Sequence, residues 1–133
     1  MITGSCLCGG VRYEYDGPLD DISMCHCRQC QKAQGTAFVA VSPIDAERFR
    51  LVAGAELLRE FRATPGKARM FCGRCGSPIY SARDDLPKVK RLRLGTVDTP
   101  IHGARAYHIH TASRASWHAI TDDHPQWPGA PAS

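Results

Sequence analysis

Apolar and polar residues alternate with a period of two along most of this chain, the spacing of strands with one buried face. Val11, Tyr13 and Tyr15 alternate with Arg12, Glu14 and Asp16, and the turn pair Gly17-Pro18 closes that run. Thr36 to Ser42 is a short apolar strand that Pro43 is expected to end. Phe49 to Val52 and Leu57 to Arg62 flank Gly54 and predict a hairpin. Ala68 to Cys72, Ile79 to Ala82, Leu92 to Val97 and Ala106 to Thr111 predict further strands. The basic run from Lys88 to Arg93 is broken by Val89 and Leu92, the look of a strand with a solvated basic face.

Helix signals are few. Arg28 to Gln34 holds good helix formers and is followed by Gly35, a C-terminal stop. Ile44 to Arg48 predicts a second short helix. Strands at this spacing, punctuated by glycine and proline, predict an all-β pair of sheets, as in a sandwich or barrel. Residues 1–123 read as one domain, and 124–133 as a proline-rich tail with little to bury and a disordered end.

At 133 residues the chain is about one domain long. No apolar run approaches the ~18 residues of a membrane span, so no membrane role is expected. The start, Met1 to Ser5, has neither the basic region nor the apolar run of a signal peptide, which points to a reducing cytoplasm. A formal charge of +4 invites a nucleic-acid reading. The chain also holds seven cysteines, and if all were ionised on two divalent metal ions the charge would fall to about +1, since metal-bound thiols are deprotonated. The basic residues are also scattered, so nucleic acid is the less favoured partner.

The seven cysteines alter this picture most. They stand as Cys6-x-Cys8, Cys25-x-Cys27-x-x-Cys30 and Cys72-x-x-Cys75. Disulfides would fit an even count in an exported chain. A thioredoxin-type pair at Cys72 and Cys75 would need a following helix, and no long helix pattern follows. Metal binding is the favoured reading. The outer pairs, Cys6 with Cys8 and Cys72 with Cys75, each sit among glycines and together offer four corners of a tetrahedron. Such a site would clip the amino-terminal strand to the middle of the chain.

The central Cys25, Cys27 and Cys30 would leave a second ion one position short. His26 lies between two ligands and is expected to point away. A distant histidine (His102, His108, His110, His118 or His124) could close the set, and His108 and His110 are expected to share a strand face. One seven-sulfur cluster and iron–sulfur binding stay open. An open three-thiolate zinc should activate water poorly and favour an incoming thiol, whose pKa it lowers. A helix after Cys27 would add positive partial charge there. Arg28, Gln29 and Lys32 could meet the carboxylates of a peptide-like thiol; solvated helix residues are the plainer reading of each.

The segments Gly-Ser-Cys-Leu-Cys-Gly-Gly-Val-Arg-Tyr (4–13), Cys-His-Cys-Arg-Gln-Cys-Gln-Lys-Ala-Gln-Gly (25–35) and Phe-Cys-Gly-Arg-Cys-Gly-Ser-Pro-Ile-Tyr (71–80) carry a resemblance. With Gly-Thr-Val-Asp (95–98) and the stretch 108–127, the chain resembles glutathione-dependent formaldehyde-activating enzymes and their centromere-protein-V-like relatives. The resemblance implies a mostly β, zinc-stabilised β-tent fold of two or more small antiparallel sheets with one or two short helices. It implies zinc on Cys6, Cys8, Cys72 and Cys75, and a second zinc on Cys25, Cys27 and Cys30, the latter three being the catalytic set. The implied activity is that of a carbon–sulfur lyase of the S-(hydroxymethyl)glutathione synthase type, joining glutathione to formaldehyde. Trp117 and His118 match the family's carboxy-terminal aromatic stretch, which would set Trp117 beside the open metal. A core Trp117 is the structural alternative. The functional alternative is a non-catalytic zinc module that binds protein or nucleic acid; zinc storage or thiol sensing is a third.

Overall fold

The alternating pattern folds into ten strands shared between two sheets, with one α-helix, in a computed structural model that describes residues 1–131. The expected disorder at the end of the tail falls on Ala132 and Ser133, outside the described residues. The first sheet has three strands in the order β1 (Ile2–Ser5), β2 (Arg12–Tyr15) and β5 (Phe49–Ala53). The second has seven. It begins at the edge strand β10 (Arg105–Ile109), followed by β3 (Asp21–Cys25), β4 (Val39–Asp45) and β9 (Val89–Arg93). It ends with β8 (Pro78–Arg83), β7 (Lys67–Cys72) and β6 (Leu58–Thr64). The helix α1, Arg28–Gln34, stops at Gly35 in the left-handed conformation, as its sequence predicts.

The core follows the period-two pattern. Tyr13 and Tyr15 are buried while Arg12 is exposed, and with Val11, Ile44, Ile79 and Leu92 they fill the space between the sheets. The Tyr13 hydroxyl is satisfied by Thr96 Oγ1 at 2.8 Å, and burial pushes its pKa up to about 12. A second cluster joins Val39 and Val41 to Cys25 and Cys30.

The structure corrects several local expectations. Pro43 does not end β4, which runs on to Asp45. Beyond Val41 that strand is no longer paired with β3, so a residue without an N–H is tolerated on the free edge. The helix expected over Ile44–Arg48 shrinks to a 3₁₀ turn at Ala46–Arg48. Val89–Arg93 ends earlier than expected and gives way to a 3₁₀ turn at Leu94–Thr96. The second sheet is larger than the resemblance implies, and β10 joins β3 in parallel rather than antiparallel. No tight turn links these two strands, so their direction is free of hairpin constraints. The segment after His124 docks on β10: His108 donates to the Pro125 carbonyl (2.8 Å), Trp127 to His108 (3.0 Å) and His110 to Gly129 (2.9 Å).

The predicted hairpin around Gly54 does not form. β5 pairs with β2 and β6 with β7, so Gly54 is where the chain leaves one sheet for the other. Gly54 adopts φ +84°, and a Cβ there would lie 2.2 Å from the Gly10 carbonyl oxygen. Backbone on both sides prevents relief. Gly54→Ala is expected to lower stability by about 2 kcal/mol or more, read as a shift in the urea midpoint; an unchanged midpoint would show that the two sheets can separate locally without penalty. No helix of the described residues is long and apolar enough to cross a membrane.

Candidate metal centres

All seven cysteines are free thiols, and they gather into a set of four and a set of three. Within each set the sulfurs lie within 4.8 Å of one another. Cys6 and Cys8 come from the loop between β1 and β2. Cys72 is the last residue of β7, and Cys75 lies in the turn to β8. This set therefore brings a loop of the three-stranded sheet together with the end of a strand of the seven-stranded one.

Both loops turn so that backbone N–H groups face sulfur or close tight bends. Val11 donates to Cys6 Sγ at 3.2 Å, and Gly76, at φ +82°, donates to the Cys72 carbonyl at 2.7 Å. Cys6 and Cys8 sulfurs are 3.5 Å apart, and those of Cys8 and Cys72 are 3.8 Å apart. Arg74 Nε donates to Cys8 Sγ at 3.2 Å. The Cys75 thiol is lowered to about 5, first by the Ser77 hydroxyl and then by backbone N–H groups. A thioredoxin-like use of Cys72 and Cys75 has no support in this geometry, because they sit in an antiparallel β7–β8 turn.

Cys25 ends β3, Cys27 caps α1 and Cys30 lies in its first turn. The cap holds because Cys27 Sγ accepts the Cys30 N–H at 3.4 Å. The Cys30 thiol is lowered, chiefly because the Cys25 thiol donates to it, with Cys27 and Arg69 adding to the effect. Cys25 is pushed up, since it keeps the proton that Cys30 gives away. Among the described residues no histidine or carboxylate joins the three sulfurs.

His26 turns its back on the sulfurs. Its Nε2 lies 2.8 Å from His108 Nδ1, and His108 Nε2 lies 3.0 Å from the Asp122 carboxylate. Phe38 and His118 pack on the same ring, with centroids 5.1 and 6.1 Å away. Burial, then His108, lowers the His26 pKa to about 4. His108 and His110 were expected on one face and are not. β10 stops at Ile109 and His110 takes φ 55°, which swings it to the other side.

That other side is a cleft of ≈ 380 Å³. It contains the three sulfurs, Gln29, Tyr107 and His110, and a row of basic side chains from β7, β8 and β9. Of the residues singled out beside the trio, Gln29 lines the cleft and its amide also meets Thr64 Oγ1 at 3.2 Å. Arg28 is exposed and bonds the Gln31 amide oxygen, and Lys32 is exposed. Trp117 is 70% exposed, beside His118, and is neither in the core nor among the cleft-lining residues.

The basic row was missed from the sequence. Arg93, expected on a solvated face, is 5% exposed. The available signal was repetition: Lys67-x-Arg69 and Arg91-x-Arg93 each place two cations on one face of a strand.

Fold and sites together define a β protein with two thiol clusters, one where its two sheets meet and one opening on a basic cleft. Residues 1–113 match the family described as glutathione-dependent formaldehyde-activating enzyme, and the chain belongs to that family. It is 25% identical over 125 residues to a Halomonas elongata protein provisionally named a glutathione-dependent formaldehyde-activating enzyme. That match covers 88% of this chain and 79% of the relative. The crystal structure of a Rhodobacter sphaeroides protein shares the fold, with a TM-score of 0.63 and 22% identity, over 75% of this chain and 91% of that one.

Proposed function

We propose that the chain adds a thiol, glutathione in the first instance, to a small aldehyde such as formaldehyde, as a carbon–sulfur lyase. The three-sulfur set opening into a cleft of substrate size is the observation that carries this reading. Both sets fit zinc. Four or three thiolates are its usual soft donors, and a regular ZnS₄ tetrahedron at Zn–S ~2.3 Å has sulfur–sulfur edges of ~3.8 Å. The neighbouring sulfurs of the four-cysteine set stand 3.5 and 3.8 Å apart.

Cys6, Cys8, Cys72 and Cys75 would hold a structural ion, and Cys25, Cys27 and Cys30 a working one. Zinc bound at the second set would supply a soft Lewis acid that lowers the pKa of an incoming thiol. The chain's own residues do the rest. The cleft brings thiol and aldehyde together, which removes much of the entropic barrier to their reaction. Gln29 offers an amide to the peptide portion of the thiol; Arg28, Lys32 and Trp117 stand back from the cleft. The thiolate sulfur attacks the aldehyde carbon, the carbonyl electrons move to oxygen, and a proton from His110 or water completes the hydroxymethyl thioether. Free thiols in this number suit a reducing cytoplasm.

Exchange NMR of formaldehyde with glutathione tests the reaction. The zinc-loaded protein is expected to speed adduct formation and breakdown by about 100-fold or more over buffer. A rate equal to buffer would remove the enzymatic reading.

A further inference from the structure

One face of the seven-stranded sheet forms the floor of the cleft. Because side chains alternate along a strand, Lys67 and Arg69 of β7, Ser81 and Arg83 of β8, and Arg91 and Arg93 of β9 all project from it. In the sheet register Lys67 stands opposite Arg83, and Ser81 stands between Arg69 and Arg91. Like charges opposed across a sheet weaken the pairing, so such a face is not explained by folding.

Little within the protein offsets these charges. Arg83 is engaged by Asp85, at 3.0 and 2.6 Å. Among the described residues no carboxylate lines the cleft, and Lys67, Arg69, Arg91 and Arg93 form no salt bridge. Arg93 Nη1 donates to Ser81 Oγ (2.9 Å) and to the Arg91 carbonyl (3.1 Å), both neutral. Arg69 Nη1 and Ser23 Oγ, buried in the same cleft, have no hydrogen-bond partner among the described residues. Burial and the nearby Arg69 push Arg93 down to about 10 and lower Lys67 as well. One divalent ion on three thiolates would contribute a single negative charge, leaving about three positive charges uncompensated. A concave wall of one sign focuses its field on an incoming anion.

We propose that this cationic trough binds the non-reacting end of the thiol and selects thiols that carry two or more carboxylates and no free ammonium. The inference rests on the thiol reading above and goes past it, because glutathione carries an ammonium and the trough offers it no acidic partner among the described residues. Arginine forks match carboxylates two bonds at a time, which fits Arg69 and Arg91 on either side of Ser81.

The test uses the cobalt-loaded protein, in which thiol arrival at the three sulfurs changes the thiolate-to-cobalt absorption. Three probes are titrated: glutathione, N-acetylglutathione and glutathione diethyl ester. N-acetylglutathione is expected to bind about threefold tighter than glutathione, and the diester about tenfold or more weaker, as lost charged hydrogen bonds require. Arg91→Gln and Lys67→Gln should each shrink the ratio between N-acetylglutathione and the diester by about fivefold. Using two variants guards against one failing to fold. Equal affinities for all three thiols, or weaker binding after N-acetylation, would overturn the trough while leaving the thiol reading in place. No absorption change with any thiol would instead overturn the thiol reading, and this inference with it.

Discussion

Replacing Cys72 with serine is expected to abolish cooperative folding of the metal-loaded protein. Cys72 is fully buried at the end of β7, within the sulfur set that clips the β1–β2 loop to the larger sheet. Without that clip the three-stranded sheet is held by the apolar contacts of Val11, Tyr13 and Tyr15 and by bridges such as Thr3 to Thr99. Structural zinc contributes ~10–16 kcal/mol in small domains, as much as the ~5–15 kcal/mol net stability of a whole one. A serine hydroxyl is a poor zinc ligand, so Cys6, Cys8 and Cys75 would no longer be held together by the ion. A loss of more than about 5 kcal/mol follows, enough to leave no folded baseline in a thermal melt followed by circular dichroism. Prolonged chelation of the wild type should reproduce it. A variant that melts like the wild type would show that the four-sulfur set does not hold the sheets together.

Cys27→Ser should have the opposite profile, with the fold kept and the chemistry lost. Cys27 is the N-cap of α1, and serine is among the best N-cap residues, so the helix start survives. His26 stays anchored through His108 and Asp122, independently of the Cys27 sulfur. One of two metal equivalents should disappear, and thiol–aldehyde exchange should fall by about 100-fold or more, near 3 kcal/mol in barrier. The melting temperature should move by only a few degrees, reflecting the loss of one bound ligand. Metal analysis beside a thermal melt decides the matter. Loss of both metals with unfolding would contradict the division into a structural and a working site.

Much of this site is readable without coordinates. Cys25, Cys27 and Cys30 are close enough in sequence to meet whatever the fold, and α1 is announced by its helix formers and by Gly35. The division of seven cysteines into four and three was the favoured reading, yet local spacing left a single seven-sulfur cluster open, and only the folded sheets bring Cys6 and Cys8 to Cys72 and Cys75. What could not be read was where faces of distant strands come together. Arg91 and Arg93 have the alternation of a half-wet strand, and nothing local tells which half is wet. β9 lies in mid-sheet between β4 and β8, so its basic face turns into the cleft rather than to bulk water. His108 and His110 misled for a smaller reason: one left-handed residue at the end of a strand breaks the period-two rule.

The sequence by itself determined the chemistry available, because ligand identity and short spacing are local properties that survive any arrangement of the chain. Folding decided how that chemistry is addressed. Strand order placed the cations of β7, β8 and β9 on the face that ends at Cys25, and sheet pairing is non-local, set by which hydrophobic faces can be buried together.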